Sequence, residues 1–154
     1  MTRRLAPAAN GHKPALDLSI QYASSASDLP TRVQVRRWVR AALEADAAVT
    51  VRFVGAIEGR ALNAQFRGKD YPTNVLTFVY DDKHPRAGDI VLCAPIVQKE
   101  AEAQDKMLAA HYAHLVVHGM LHLQGYDHES DAEASVMEAR ETAILAALGL
   151  ADPY

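Results

Sequence analysis

Leu16, Leu18 and Ile20 alternate with Asp17, Ser19 and Gln21, a period of two that predicts a strand over 16–22 with one apolar side. Pro30 and Thr31 then open a helix, in which Val35, Trp38, Val39, Ala42 and Leu43 recur at three- and four-residue spacing. That stripe faces a core and takes Trp38 with it. Val49, Val51 and Phe53 alternate with Thr50 and Arg52 in a second strand, and a short helix from about Glu58 to Phe66 follows, with Leu62 and Phe66 turned inward. Residues 73–80 are apolar on both sides, which predicts a third strand in the centre of a sheet, where both faces are covered. Gly88 and Asp89 precede a fourth strand, Ile90–Cys93.

From Pro95 onward the pattern is helical: a short segment to about Gln104, a long one from Lys106 to Leu123, and a last one from Ser130 to Leu148. The long helix carries Leu108, Leu115, Val116, Val117, Met120 and Leu121 around several histidines, so it is expected to lie buried against the sheet. Asp131 and Glu133 at the start of the last helix suit its dipole. These elements predict a single α/β domain of the α+β kind, a mixed four-stranded sheet packed with about five helices, spanning 15–154 behind a flexible N-terminal tail over 1–14. A length of 154 residues agrees with one domain.

Composition narrows the class. The single cysteine, Cys93, excludes an intrachain disulfide, and its apolar run from Ile90 to Ala94 makes it a small buried hydrophobe rather than a nucleophile. The N-terminal segment carries Arg3 and Arg4 but no apolar stretch of a signal peptide, and no segment is long and apolar enough to span a bilayer. A soluble, cytoplasmic protein without membrane partners is expected. Net charge is −3, yet residues 1–69 carry a balance of +6 and residues 70–154 one of −9. That asymmetry permits a basic face, and Arg32, Arg36, Arg37 and Arg40 on one helix either track phosphates or form a solvated surface.

The candidate chemistry lies in the run from His118 to His128. His118 and His122, four apart on a helix, share one face with Cβ atoms about 5–6 Å apart. Gly125 lets the chain leave the helix, and the turn beyond it can bring His128 back to the pair. A histidine pair alone is unremarkable in a chain with seven histidines, but the third imidazole and the glycine make a metal site with one open position, as catalytic zinc sites have. His114, four residues before His118, is an equally spaced partner that lacks the following glycine and histidine. It reads as a residue behind the ligands, in the core or against substrate, and His111 as a helix-surface residue. Asp127 either orients a ligand imidazole or caps the turn.

The arrangement resembles the H-E-x-x-H-x-x-G-x-x-H signature of metzincin proteases, except that Gly119 stands where those enzymes carry their glutamate base. A zincin-like peptidase or amidase therefore shares the ligand geometry and lacks the base. A second alternative is a non-catalytic protein whose metal only holds the fold.

Two longer stretches carry a closer resemblance: Leu62-Asn63-Ala64-Gln65-Phe66-Arg67-Gly68-Lys69-Asp70-Tyr71-Pro72-Thr73-Asn74-Val75-Leu76-Thr77-Phe78, and His114 through His128, preceded by Gly88-Asp89-Ile90. Together they are similar to the YbeY family of bacterial RNA-processing metalloproteins, from about Leu16 to Tyr154. Thr77 stands where the family often has serine, and the hydroxyl is kept. The resemblance implies a single-domain α/β fold and one Zn2+ on His118, His122 and His128. It also implies a single-strand-specific endoribonuclease acting in maturation of the 3′ end of small-subunit rRNA and in ribosome quality control, with single-stranded RNA, the small ribosomal subunit and its assembly proteins as partners. It marks Arg67 as functional beside the three histidines: a guanidinium that clamps phosphate oxygens offsets the charge developing during phosphodiester cleavage. Lys69 is a candidate for a further backbone contact, and Thr73 and Asn74 either bond RNA or shape the turn begun by Pro72.

Overall fold

A computed structural model of the chain describes residues 13–81, 83 and 85–154, so the expected tail over 1–14 lies almost wholly outside the described residues. The elements follow in the order β1 (Leu16–Ala23), α1 (Arg32–Ala42), β2 (Ala47–Val54), α2 (Ala56–Arg67), β3 (Val75–Asp81), β4 (Arg86–Cys93), α3 (Ala94–Ala103), α4 (Leu108–Leu123) and α5 (Asp131–Ala147). Local chemistry starts and stops them. Thr31 with Gln34 and Ser130 with Glu133 form reciprocal capping boxes at α1 and α5. Gly68, at φ 68°, ends α2 in the left-handed conformation.

The four strands form one sheet in the order β1-β2-β4-β3. β1 and β2 are parallel, β2 and β4 are parallel, and β3 runs antiparallel to β4. β4 begins at Arg86, four residues before the apolar run, because its pairing with β2 extends through Ala87 and Gly88. On one face Val49, Val51, Phe53, Ile90 and Leu92 form the main core with α1, α4 and α5. On the other, Val54, Leu76, Val91 and Cys93 form a smaller cluster with Leu62, Phe78 and Ile96. Trp38 is buried in the main core, as its helix stripe predicts.

The third strand is at the edge, not the centre. Its two apolar sides have separate partners: Leu76 and Phe78 join the small cluster, while Val75, Thr77 and Val79 border a cleft beside α4. A strand can thus read apolar on both faces with only one neighbour in the sheet. Phe66 also departs from expectation, being 56% exposed, with its ring edge-to-face against Phe78 at 4.9 Å. Among the described residues no helix is long and apolar enough to cross a membrane.

Candidate metal centre and cleft

α4 is the central scaffold, packed against β3, β4, α1, α3 and α5. It places His118 and His122 one turn apart with ring centroids 4.8 Å from each other. Beyond its end Gly125 adopts φ 103° and Tyr126 N–H returns to the Leu121 carbonyl. The turn carries His128 to 4.7 Å from the His122 ring and 5.6 Å from that of His118. One ring nitrogen from each of the three lies within 4.8 Å of the others, a cluster within reach of one ion.

The electrostatics suit a cation. Burial first, then the neighbouring His118 and His128, push His122 down to about 4, against a smaller opposing effect of Asp127. Its imidazole is therefore neutral at pH 7, with a lone pair free to bind. Three imidazole nitrogens make a borderline donor set that accepts zinc as well as other late transition metals.

Behind the cluster lies Glu141 of α5, fully buried. Burial alone would raise its pKa, but hydrogen bonds from His114, His118 and Tyr154 outweigh that and hold it at about 2. As an ionised carboxylate it only accepts, so His118 donates through Nδ1 (2.7 Å to Oε1), which turns its other nitrogen, Nε2, toward the cluster. His114 reaches the same oxygen at 3.4 Å and stands behind the histidine cluster, one of the three places the sequence leaves open for it. The orienting carboxylate is thus Glu141. Asp127 instead closes the turn, its Oδ1 accepting from the His128 backbone N–H at 2.7 Å.

Sequence reasoning passed over Glu141, although a signal was present: Met137, Ile144 and Leu145 are the buried residues of α5, and Glu141 sits in the same stripe as a charge among them. His111 also departs from expectation. It is buried, with Nε2 2.9 Å from Glu100 Oε1, and Glu100 in turn accepts from the Asn74 amide at 3.0 Å. The Asn74 side-chain Oδ1 accepts from Val75 N–H at 2.6 Å, so this side chain shapes the start of β3.

Arg67 stands across the cleft at the end of α2. Asn63 donates to the Tyr71 carbonyl at 2.7 Å and Arg60 pairs in bidentate fashion with Asp70 at 2.8 and 2.9 Å, tying down the loop after Gly68. Arg67, Asn74, Val75, Thr77, Val79, His118, His122 and His128 line one cavity of about 250 Å³. Arg67 is exposed and has no ion-pair partner among the described residues. The α1 arginines are exposed as well but border no part of this cleft. Cys93 is buried and burial pushes its thiol pKa up, which removes it as a nucleophile.

Gly119 explains the missing protease base. A Cβ built there would lie 2.9 Å from Cγ2 of the fully buried Ile90. Position 119 faces the sheet, so α4 can approach β4 closely only without a side chain there.

The family model described as Endoribonuclease YbeY matches residues 20–149. A Cupriavidus metallidurans protein of that name is 60% identical over 146 residues, covering 92% of this chain and 74% of that protein. One from Nitrosomonas eutropha is 56% identical over 137 residues, covering 89% and 97%. A solution structure of a Thermotoga maritima protein is similar in fold, with a TM-score of 0.56 and 29% identity over 86% of this chain and 91% of that one.

Proposed function

The chain belongs to the Endoribonuclease YbeY family, and on that premise we propose that it is a metal-dependent endoribonuclease that cuts single-stranded RNA. The observation that carries this reading is the shared cleft: three imidazoles on one wall and, on the other, a guanidinium with no ion-pair partner among the described residues. His118, His122 and His128 hold one Zn2+ ion. When bound, the ion supplies Lewis-acid chemistry toward a phosphate oxygen. Arg67 binds the phosphate in the cleft and offsets the negative charge that gathers on its oxygens during cleavage. Glu141 keeps the His118 ring turned toward the ion, and Asn74, held by Glu100, keeps the β3 wall in place.

The physiological substrate in this reading is rRNA. The chain acts in the cytoplasm at the 3′ end of the small-subunit RNA and in ribosome quality control, in contact with the small subunit and its assembly proteins. Residues 15–154 are the functional domain and 1–14 lie outside it. The peptidase alternative loses its support from the position of Gly119 against Ile90, which leaves no room for a glutamate base.

The test is cleavage of single-stranded rRNA by highly purified, zinc-loaded protein beside a folded His122→Ala variant. The unaltered chain is expected to cut and the variant to fail. Equal cleavage by both would sink the proposal and point to a contaminating nuclease.

A further inference from the structure

The segment after α5 turns back along the helix. Gly149, at φ 81°, and the Leu150 N–H, which reaches the Leu145 carbonyl at 2.8 Å, reverse the chain. Thr142 donates to Asp152 at 3.4 Å, Asp152 accepts from the Tyr154 N–H at 2.9 Å, and Lys106 donates to the Pro153 carbonyl at 3.3 Å. These anchors deliver the Tyr154 hydroxyl to Oε2 of the buried Glu141 at 2.5 Å, with the phenol ring edge-on to His114 at 5.5 Å. The tyrosine is itself 61% exposed, so its body covers little core while its hydroxyl reaches a fully buried carboxylate.

The two Glu141 oxygens therefore have different partners: Oε1 takes His118 Nδ1 at 2.7 Å and His114 Nε2 at 3.4 Å, and Oε2 takes Tyr154. A carboxylate with one oxygen free can rotate about its last bond and offer His118 either oxygen or neither. With Oε2 pinned, rotation breaks a hydrogen bond to a charged acceptor, among the stronger hydrogen bonds a protein makes. We propose that Tyr154 is a positioning residue for the candidate metal centre, locking Glu141 so that His118 presents its outward nitrogen in one orientation. The proposal rests on the assignment of His118, His122 and His128 as ligands, and it makes the docked segment 150–154 part of the site.

The experiment titrates the metal-free full chain with Co2+ alone, following the visible ligand-field bands and measuring affinity by competition with a chelator. Tyr154→Phe keeps the ring against His114 and removes only the hydroxyl. It is expected to weaken cobalt binding about tenfold, the usual scale for a lost partner behind a metal ligand, and to shift the bands. Glu141→Gln, of the same shape, is expected to shift them further. Cobalt bands in Tyr154→Phe identical to those of the unaltered chain overturn the inference, whatever happens to thermal stability. No cobalt binding by the unaltered chain overturns the metal reading itself, and this inference with it.

Discussion

His118 Nδ1 lies 2.7 Å from Glu141 Oε1, although 23 residues separate the two. α4 supplies the imidazole and α5 the carboxylate, so packing of these two helices sets the direction of a candidate ligand. An unliganded imidazole on a helix surface samples several ring orientations. One bonded to a buried anion does not, and binding an ion then requires less ordering.

Metal should stabilise the fold. Zinc at about a hundred times its dissociation constant adds about 2.7 kcal/mol. For a chain of this length that raises Tm by about 5–11 °C. Calorimetry with zinc and then with excess chelator is expected to show the rise and its reversal, and His122→Ala to show neither. An unchanged Tm in the unaltered chain would count against a bound ion.

The metal-free chain should lose stability in acid within a defined window. His122 titrates near 4 in the folded chain, below its ordinary 6.5, through burial first and then the adjacent imidazoles. Above pH 6.5 it is neutral in both folded and unfolded chains. As pH falls below 6.5 the unfolded chain takes up a proton that the folded chain resists, so stability drops until about pH 4, where both are protonated. Glu141, held at about 2 against an ordinary 4.5, adds a second loss between pH 4.5 and 2. Urea midpoints in chelator at pH 7.5, 6 and 4.5 are expected to fall in order, and less steeply in His122→Asn. Parallel profiles for the two chains would show that His122 is not the titrating group.

Arg67→Ala should separate cleavage from stability. The side chain is exposed and makes no ion pair among the described residues, so the melting free energy is expected to stay within about 0.5 kcal/mol. Single-turnover cleavage is expected to fall about a hundredfold, the scale of a lost group that stabilises transition-state charge. Arg67→Lys should recover little, because an ammonium lacks the bidentate fork. Full activity in the alanine variant would remove Arg67 from the site.

Gly119→Ala should cost stability without touching the ligands. The added methyl meets Ile90 at 2.9 Å in a closed core, and overpacking of this kind costs about 1–3 kcal/mol. Tm is expected to fall by several degrees. Gly119→Glu is expected to fail to fold rather than to gain a base. A variant at 119 as stable as the unaltered chain would show that α4 can move off β4.

Periodicity along the chain was enough to predict the four strands and five helices, because each element satisfies its own or neighbouring backbone groups at a fixed repeat of side-chain directions. The same local logic predicted the triad, since His118 and His122 share a helix face and Gly125 supplies the turn that returns His128. Arg67 needed the family resemblance, for nothing near it in the chain distinguishes it from a surface arginine.

What only the tertiary structure decided are relations between distant residues. The doubly apolar 73–80 segment fits a central strand or an edge strand whose two sides face different partners, and packing against α2 and α4 chose the edge. His111 is buried because Glu100 of the neighbouring helix receives it. Glu141 stays charged in the core because His114, His118 and Tyr154 hydrogen-bond to it, and Gly119 lacks a side chain because Ile90 lies opposite. A helix pattern states which residues share a face. It does not state which side chain of another element will meet that face, and there the orienting carboxylate and the missing base were settled.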